Sequence, residues 1–181
     1  MKDGDFTERL FIGSTHDYIL FFTNKGQIHW LKVYDIPQMG RAAKGRSIAN
    51  VLELRNEETV SAMIPARTFD DDHFLVMATR EGVIKKTVLS AFGRPMKGGI
   101  RAVNLNEKDE LIGEVMTTGE NELMLASRQG MACRFKESDV RPMGRAAAGV
   151  TGMKLEKGDE CIGLMVVTPQ STVLTVSANG L

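Results

Sequence analysis

Hydrophobic and polar side chains alternate along most of this chain with a period of two residues, as at 73–78 and 122–126. Successive side chains of a β-strand point to opposite faces of a sheet, so this period is typical of strands. No stretch sustains the 3.6-residue period of an amphipathic helix with capping residues at both ends. The pattern therefore predicts an all-β fold.

Turns that contain a glycine interrupt the apolar pattern four times. Their glycines stand at positions 26, 82, 130 and 180, with spacings of 56, 48 and 50 residues. A short hairpin turn needs a residue that adopts positive φ, and glycine does so without strain, so we interpret these glycines as structural. The spacing exceeds the roughly 40 to 45 residues of a common propeller blade and is close to the kelch length of about 50. Each unit then holds about four short strands.

Two more markers recur in the same order after each of the first three turns. A Gly-Arg pair with a second glycine four residues after the arginine occurs at 40–45, 93–98 and 144–149. A leucine followed by an acidic turn and a new apolar run then occurs at 54–60, 105–111 and 155–161. Three markers in fixed order indicate a repeat architecture.

The markers divide the chain into approximate repeats at 13–65, 66–118 and 119–168, with partial repeats at 1–12 and 169–181. Radial closure of a propeller-like ring usually needs about four to eight blades. We therefore expect one propeller-like domain of about four-stranded blades that forms a partial ring, as a fragment of a larger one.

Composition adds few constraints. The chain has 23 Lys and Arg against 23 Asp and Glu, so its formal net charge is zero. No apolar run approaches the roughly 18 residues that span a bilayer, and no signal peptide opens the sequence, so we expect no membrane partner. Cys133 and Cys161 have neither metal-ligand nor C-x-x-C spacing, which favours free thiols in a reducing cytoplasm.

The zero net charge hides a segregation that follows the repeat. Cations dominate 25–46, 80–101 and 128–145, and acidic residues dominate the segments between them. Aligned repeats would place like charges together and form a basic track. For any single cation, solubility explains the charge equally well, and each glycine beside an arginine fits a strand bend as well as an anion contact.

Nothing in the sequence indicates a catalytic or metal site. The three histidines, at positions 16, 29 and 73, are scattered without ligand spacing, and no glycine-rich phosphate loop precedes a helix. The acidic pairs at 57–58 and 109–110 lie in turns, where solvated loops are expected, and the same holds for 70–72. We expect no catalysis by this chain alone and no cofactor or metal.

Six long segments carry a resemblance to a known family. They lie in every unit, at 14–26, 30–34, 83–87, 104–107, 109–113 and 140–145. In these segments the chain resembles the C-terminal domain of the bacterial DNA gyrase A subunit. The A-type subunit of topoisomerase IV shares this domain type. A basic Gln-Arg-Arg-Gly-Gly-Lys-Gly box marks gyrase and does not occur in this sequence, so topoisomerase IV stays as the alternative.

The resemblance implies a β-pinwheel, a ring whose neighbouring blades exchange strands and whose basic perimeter wraps double-stranded DNA without sequence specificity. The implied parent is a type II topoisomerase that introduces negative supercoils with ATP, in the cytoplasm near the nucleoid. Its partners are the remainder of the gyrase A protein and the gyrase B protein in a heterotetramer. The cleaving tyrosine and the ATP and Mg²⁺ sites belong to other parts of that enzyme. A propeller-like scaffold, with acidic loops that dock a basic protein, is an alternative of another class.

The candidate DNA contacts are the cations of the repeated Gly-Arg phrase and of the strands beside it. From the phrase and the residues after it we predict Arg41, Lys44, Arg46, Arg94, Lys97, Arg101 and Arg145. From the adjoining strands we predict Lys32, Lys85, Lys86, Arg134 and Lys136.

Overall fold

The computed structural model describes residues 10, 12–40, 43, 45–177 and 180. Within this part of the chain there are eleven β-strands, four short 3-10 turns and no α-helix, so the all-β prediction is confirmed. None of the described segments is a helix of the length and hydropathy that a membrane crossing requires. The strands are β1 (Tyr18–Thr23), β2 (Gln27–Lys32), β3 (Val60–Ala66), β4 (Phe74–Thr79), β5 (Val83–Val88), β6 (Ile100–Arg101), β7 (Leu111–Thr117), β8 (Glu122–Ser127), β9 (Ala132–Lys136), β10 (Val150–Thr151) and β11 (Cys161–Val167).

These strands form three antiparallel sheets, which we call blades 1, 2 and 3. The strand orders are β3-β1-β2-β6, β10-β5-β4-β7 and β11-β8-β9. Each blade is built on a hairpin, β1-β2, β4-β5 or β8-β9, whose first strand also pairs with the strand that follows the acidic turn. The same order of hairpin, loop and returning strand therefore occurs in every blade.

The fourth strand of blades 1 and 2 comes from the next repeat. Strand β6 follows the hairpin of blade 2 in sequence but pairs with β2 of blade 1, where Ile100 lies opposite Ile28. Strand β10 follows the hairpin of blade 3 but pairs with β5 of blade 2, where Val150 lies opposite Ile84. This exchange joins neighbouring blades through backbone hydrogen bonds as well as through side-chain packing.

The hydrophobic core lies between the blades. Leu20 and Phe22 of blade 1 share a buried cluster with Leu75 and Met77 of blade 2. Because adjacent strand residues point to opposite faces, Val76 and Ala78 serve the other side of blade 2 and pack with Leu123 and Leu125 of blade 3. Blade 2 is thus covered on both faces.

Each of the four turn glycines makes the same type of backbone hydrogen bond. Gly26, Gly82, Gly130 and Gly180 each have positive φ and donate N–H to the carbonyl three residues earlier, over 2.9 to 3.1 Å. The hairpin glycines predicted from sequence thus adopt the expected conformation. Before the last turn, however, 168–177 contain no strand, and residues 178 and 179 lie outside the described part of the chain.

Gly82 is also where the exchanged segment meets blade 2. Its carbonyl accepts the N–H groups of Gly152 and Met153 at 2.9 and 3.1 Å. A Cβ atom on Gly82 would lie 2.6 Å from the Met153 carbonyl oxygen, and φ is +80°. The backbone of the exchanged segment therefore approaches too closely for any side chain here.

We expect Gly82→Ala to lower the free energy of unfolding by about 3 to 4 kcal/mol, because a backbone clash adds to left-handed strain. Gly130→Ala is the matched control, since φ is +91° but no heavy atom lies within 4 Å of the added Cβ. Gly130→Ala should lower the free energy of unfolding only by the cost of left-handed strain, about 1 to 2 kcal/mol. Urea unfolding followed by circular dichroism measures both, and equal losses would contradict the close approach.

Candidate nucleic-acid interface

Two of the repeated Gly-Arg loops occupy matching places on successive blades. The loop at 93–99 leads directly into β6, the outer-edge strand of blade 1. The loop at 144–149 leads directly into β10, the outer-edge strand of blade 2. Strand exchange therefore places Arg94 and Arg145 at corresponding edges, one blade apart.

The arginines at these edges are accessible. Arg94, Arg101 and Arg145 are exposed, and within the described residues none of them forms an ion pair with a carboxylate. Arg101 lies on β6 itself and donates to the Asn104 side-chain oxygen at 3.0 Å. Because no carboxylate of the described residues neutralises their charges, these guanidinium groups can take an external anion.

Side chains from earlier parts of the chain hold both loops. The Trp30 indole N–H donates to the Phe92 carbonyl at 3.0 Å, at the start of the loop at 93–99. The Asn104 amide donates to the Ala146 carbonyl at 2.5 Å, inside the loop at 144–149. The loops are therefore fixed against the blade edge although their arginine side chains face solvent.

Two predicted contacts have weak partners in this chain. The Lys97 ammonium lies 3.2 Å from a Glu53 carboxylate oxygen, with both side chains mostly exposed. The Arg134 guanidinium pairs with Glu122 through Nε at 3.0 Å and through a second nitrogen. Exposed pairs of this kind contribute at most about 1 kcal/mol, so a phosphate can replace the carboxylate.

Lys32, Arg46 and Lys136 occupy different surroundings. The half-buried Lys32 donates to the His16 carbonyl at 3.0 Å and lies 3.6 Å from the centre of the Tyr18 ring. Arg46 is exposed at the margin of an apolar cavity of about 310 Å³ on blade 1, and Lys136 is exposed on β9. Arg41 and Lys44 lie outside the described residues.

The structure corrects the expectation for Lys85 and Lys86. Their exposed fractions are 1% and 4%, and both ammonium groups have partners inside the protein. Lys86 lies 2.9 Å from a Glu137 oxygen, and Lys85 donates to the carbonyls of Ala102 and Arg145. Since blade 2 is covered on both faces, neither lysine of this adjacent pair reaches solvent, and neither is a surface phosphate contact.

The acidic turns have a role that the sequence interpretation missed. In each blade a carboxylate from the acidic turn accepts hydrogen bonds at the hairpin turn: Glu58 from the Thr23 hydroxyl at 2.7 Å, Asp109 from the Glu81 N–H at 2.9 Å and Asp159 from the Gln129 N–H at 3.0 Å. Glu58 and Asp109 are buried. The recurrence of one acid in each repeat was the available signal, and it reflects turn capping.

Hydrogen bonding sets the ionisation of these acids. Burial alone would raise the pKa of Glu58, but hydrogen bonds from the Arg55 N–H and the Thr23 hydroxyl, together with the nearby His29 ring, outweigh it and hold that pKa below its usual value. A hydrogen bond from Ser127 is the main cause that lowers the pKa of Asp159. Both acids are thus held as internal carboxylate acceptors, which leaves fewer acidic groups free to dock a basic protein.

Neither a metal site nor a reactive thiol emerges from the geometry. Across the described ranges, no three His, Cys, Asp or Glu side chains are arranged to hold a metal ion. Asp70 instead binds the His73 ring at 2.7 Å and the Thr68 hydroxyl at 2.9 Å. Cys133 and Cys161 are free thiols, and burial raises the pKa of Cys161.

Fold and site together define a class of protein: a strand-exchanged, propeller-like β-repeat domain, a β-pinwheel, with arginine loops on its blade edges. The family model for the DNA gyrase C-terminal domain, a beta-propeller, matches residues 17–67, 73–113 and 121–168. The chain belongs to this family, which confirms the resemblance seen in the sequence.

Known relatives agree with this assignment. The chain is 45% identical over 180 residues to the DNA gyrase A subunit of Salmonella typhimurium, covering 99% of this chain and 20% of that protein. It is 50% identical over 155 residues to the Haemophilus influenzae counterpart, covering 86% and 18% respectively. It thus spans about a fifth of these relatives.

Solved structures show the same architecture. A topoisomerase IV C-terminal domain superposes with a TM-score of 0.80 at 32% identity, covering 86% of this chain and 49% of that one. A DNA gyrase A C-terminal domain gives 0.70 at 26% identity with the same coverage. Both topoisomerase types share the fold, and the sequence relatives named above are gyrase subunits.

Proposed function

We propose that this chain binds double-stranded DNA along the outer edges of its blades, as part of the C-terminal domain of a DNA gyrase A protein. The observation that carries the proposal is the matching placement, on successive blades, of two loops whose exposed arginines pair with no carboxylate in the described part of the chain. Guanidinium groups bind phosphate through paired, charge-assisted hydrogen bonds. Repetition of such loops along an edge suits a polymer with regularly spaced phosphates.

Distribution of the cations over several blades suits wrapping. Smooth bending of a 20 to 30 base-pair site by 40 to 90 degrees costs on the order of 1 to 6 kcal/mol. Contacts spread along an arc offset this cost, whereas one strong patch would hold the duplex only at a point. Sequence preference should be slight, since phosphate contacts position a protein without reading bases.

The proposed contacts are the predicted cations that remain accessible. They comprise Arg46, Arg94, Lys97, Arg101 and Arg145, with Lys32, Arg134 and Lys136 beside them and with Arg41 and Lys44 included by equivalence of the repeat. The buried pair Lys85 and Lys86 is left out.

We extend the proposal to the whole protein from its relatives, which are named as gyrase subunits. In that setting the chain would serve a type II topoisomerase that introduces negative supercoils with ATP in the bacterial cytoplasm, together with the remainder of the gyrase A protein and with the gyrase B protein. Strand cleavage and ATP hydrolysis with Mg²⁺ would lie in those other parts. This chain would supply the surface along which the DNA is bound.

Fluorescence anisotropy with two labelled duplexes of unrelated sequence and equal length tests DNA binding. If each of three repeats neutralises about two phosphates, both duplexes should bind alike, and log affinity should fall against log salt with a slope near −5. No binding at low salt, or strong preference for one duplex, would contradict the proposal. A scaffold whose acidic loops dock a basic protein would bind neither duplex.

A further inference from the structure

Lys85 is an unusually buried cation that joins three parts of the molecule. It lies on β5 of blade 2 with an exposed fraction of 1%. Its ammonium donates to the Ala102 carbonyl at 2.7 Å, just after the strand exchanged into blade 1, and to the Arg145 carbonyl in the loop at 144–149. One side chain thus ties the hairpin of blade 2 to an exchanged segment and to a candidate DNA-binding loop.

The surroundings of Lys85 do not neutralise its charge. Within the described residues it forms no ion pair with a carboxylate, whereas the adjacent Lys86 pairs with Glu137. Burial, with a further contribution from the charge of Arg145, lowers the pKa of Lys85 to about 8. A buried cation without a counter-charge disfavours folding. The hydrogen bonds from Lys85 to the two carbonyl oxygens offset part of this cost.

We propose that Lys85 is a positioning residue that fixes the loop at 144–149 so that Arg145 faces DNA. The proposal rests on the DNA-binding function proposed above. Blade 1 has a corresponding contact, because Trp30 on β2 donates to the Phe92 carbonyl beside the loop of Arg94. In both blades, a donor on the second hairpin strand holds the loop of the next repeat.

The indole of Trp30 does not change its protonation state near neutral pH, whereas the ammonium of Lys85 can lose its proton. Charged or titratable residues on the elements around it are Arg145 on the loop, Arg101 on β6, His29 on β2 and Glu114 on β7, whose carboxylate accepts the Ser61 hydroxyl at 2.8 Å. The ammonium is charged below about pH 8 and neutral above it. Burial and the charge of Arg145 lower this pKa, so loss of the proton relieves a cost of the docked loop, and the loop should be held more firmly as pH rises through this value.

Global stability responds to Lys85 in the same direction. The pKa of Lys85 is about 8 in the folded chain, below its ordinary 10.5, so between these values the unfolded chain binds more protons. The contribution of Lys85 to stability therefore rises with pH in this window. Lys85 is therefore not expected to cause a loss of DNA affinity above pH 8, either through the loop or through unfolding.

The test uses Lys85→Met, Arg145→Ala and the double variant, with Lys154→Met as a control that removes one exposed lysine outside the proposed contacts. In Lys85→Met, hydrogen exchange should accelerate at 144–149 but not in β8. Duplex affinity at pH 7 should fall about fivefold in Lys85→Met, as for loss of roughly one phosphate contact, and should not fall further in the double variant than in Arg145→Ala. Lys154→Met should match the unsubstituted chain.

A pH series separates positioning from general damage. Between pH 7 and pH 9, the affinity of the unsubstituted chain should rise relative to that of Lys85→Met, because only the unsubstituted chain holds this loop more firmly as Lys85 loses its proton. If Lys85→Met fails to fold, the comparison with Arg145→Ala still decides. Three results would overturn the inference. They are losses of duplex affinity that multiply in the double variant, an unchanged rate of hydrogen exchange at 144–149, and parallel pH profiles of affinity. If the unsubstituted chain binds no duplex, DNA binding itself fails, and loop exchange still tests the contact.

Discussion

Replacement of Glu137 by alanine is expected to lower the free energy of unfolding by about 3 to 5 kcal/mol, because it leaves the Lys86 ammonium buried without a counter-charge. Glu137 is fully buried, and one carboxylate oxygen lies 2.9 Å from the Lys86 ammonium. The same carboxylate accepts the Thr117 hydroxyl at 2.7 Å and the N–H groups of Gly119 and Asn121 at 3.1 and 3.2 Å. Alanine would leave all four donors without this acceptor.

The position of this pair explains why its loss should affect the whole domain. Lys86 belongs to β5 of blade 2 and also lies 4.3 Å from the centre of the Phe74 ring, while Glu137 follows β9 of blade 3. The pair therefore joins two blades at a place where water cannot compensate either charge.

Urea unfolding of three variants measures the effect. Glu137→Gln keeps acceptor atoms without the charge and should lose less stability than Glu137→Ala. Glu120→Ala removes an exposed acid and should change the free energy of unfolding by no more than about 0.5 kcal/mol. A Glu137→Ala variant as stable as the Glu120 control would show that the buried pair does not stabilise the junction of blades 2 and 3.

Simultaneous replacement of Arg41, Arg94 and Arg145 by alanine is expected to weaken duplex binding on the order of a hundredfold near 0.1 M salt, since about three phosphate contacts are lost. Arg94 and Arg145 are exposed, so their truncation should leave the fold intact. Anisotropy titrations with the same duplex measure the affinity, and circular dichroism checks the fold.

The matched control removes the same charge elsewhere. Lys108, Lys154 and Lys157 are exposed and are not among the proposed contacts. Their triple alanine variant should bind nearly as tightly as the unsubstituted chain. Equal weakening in both triple variants would indicate that net charge, rather than the Gly-Arg loops, sets the affinity.

Local sequence predicted the hairpins and their glycines because the required backbone conformation is set within a few residues. The exchanged strands could not be predicted in the same way. β6 and β10 are two residues long, and their partners lie in the preceding blade, so no local period marks them. The expectation of strand exchange came instead from the family resemblance, which longer segments of sequence carry.

The placement of the candidate site residues could be predicted to a similar extent. Recurrence located the loops with Arg94 and Arg145, since the repeat itself places them on matching edges. The error at Lys85 and Lys86 arose because burial of both strand faces depends on neighbouring blades, which residue type does not reveal. The acids of the turns were misinterpreted for the same reason. Glu58 is buried against β1, and its hydrogen-bond donor there, Thr23, is 35 residues away in sequence.

The salt dependence of duplex binding, compared between the unsubstituted chain and the triple arginine variant, tests the proposed DNA path most directly, because its slope counts neutralised phosphates. We expect a slope near −5 for the unsubstituted chain and near −3 for the variant, a loss of about 0.9 for each arginine. Equal slopes would contradict the assignment of phosphate contacts to the Gly-Arg loops.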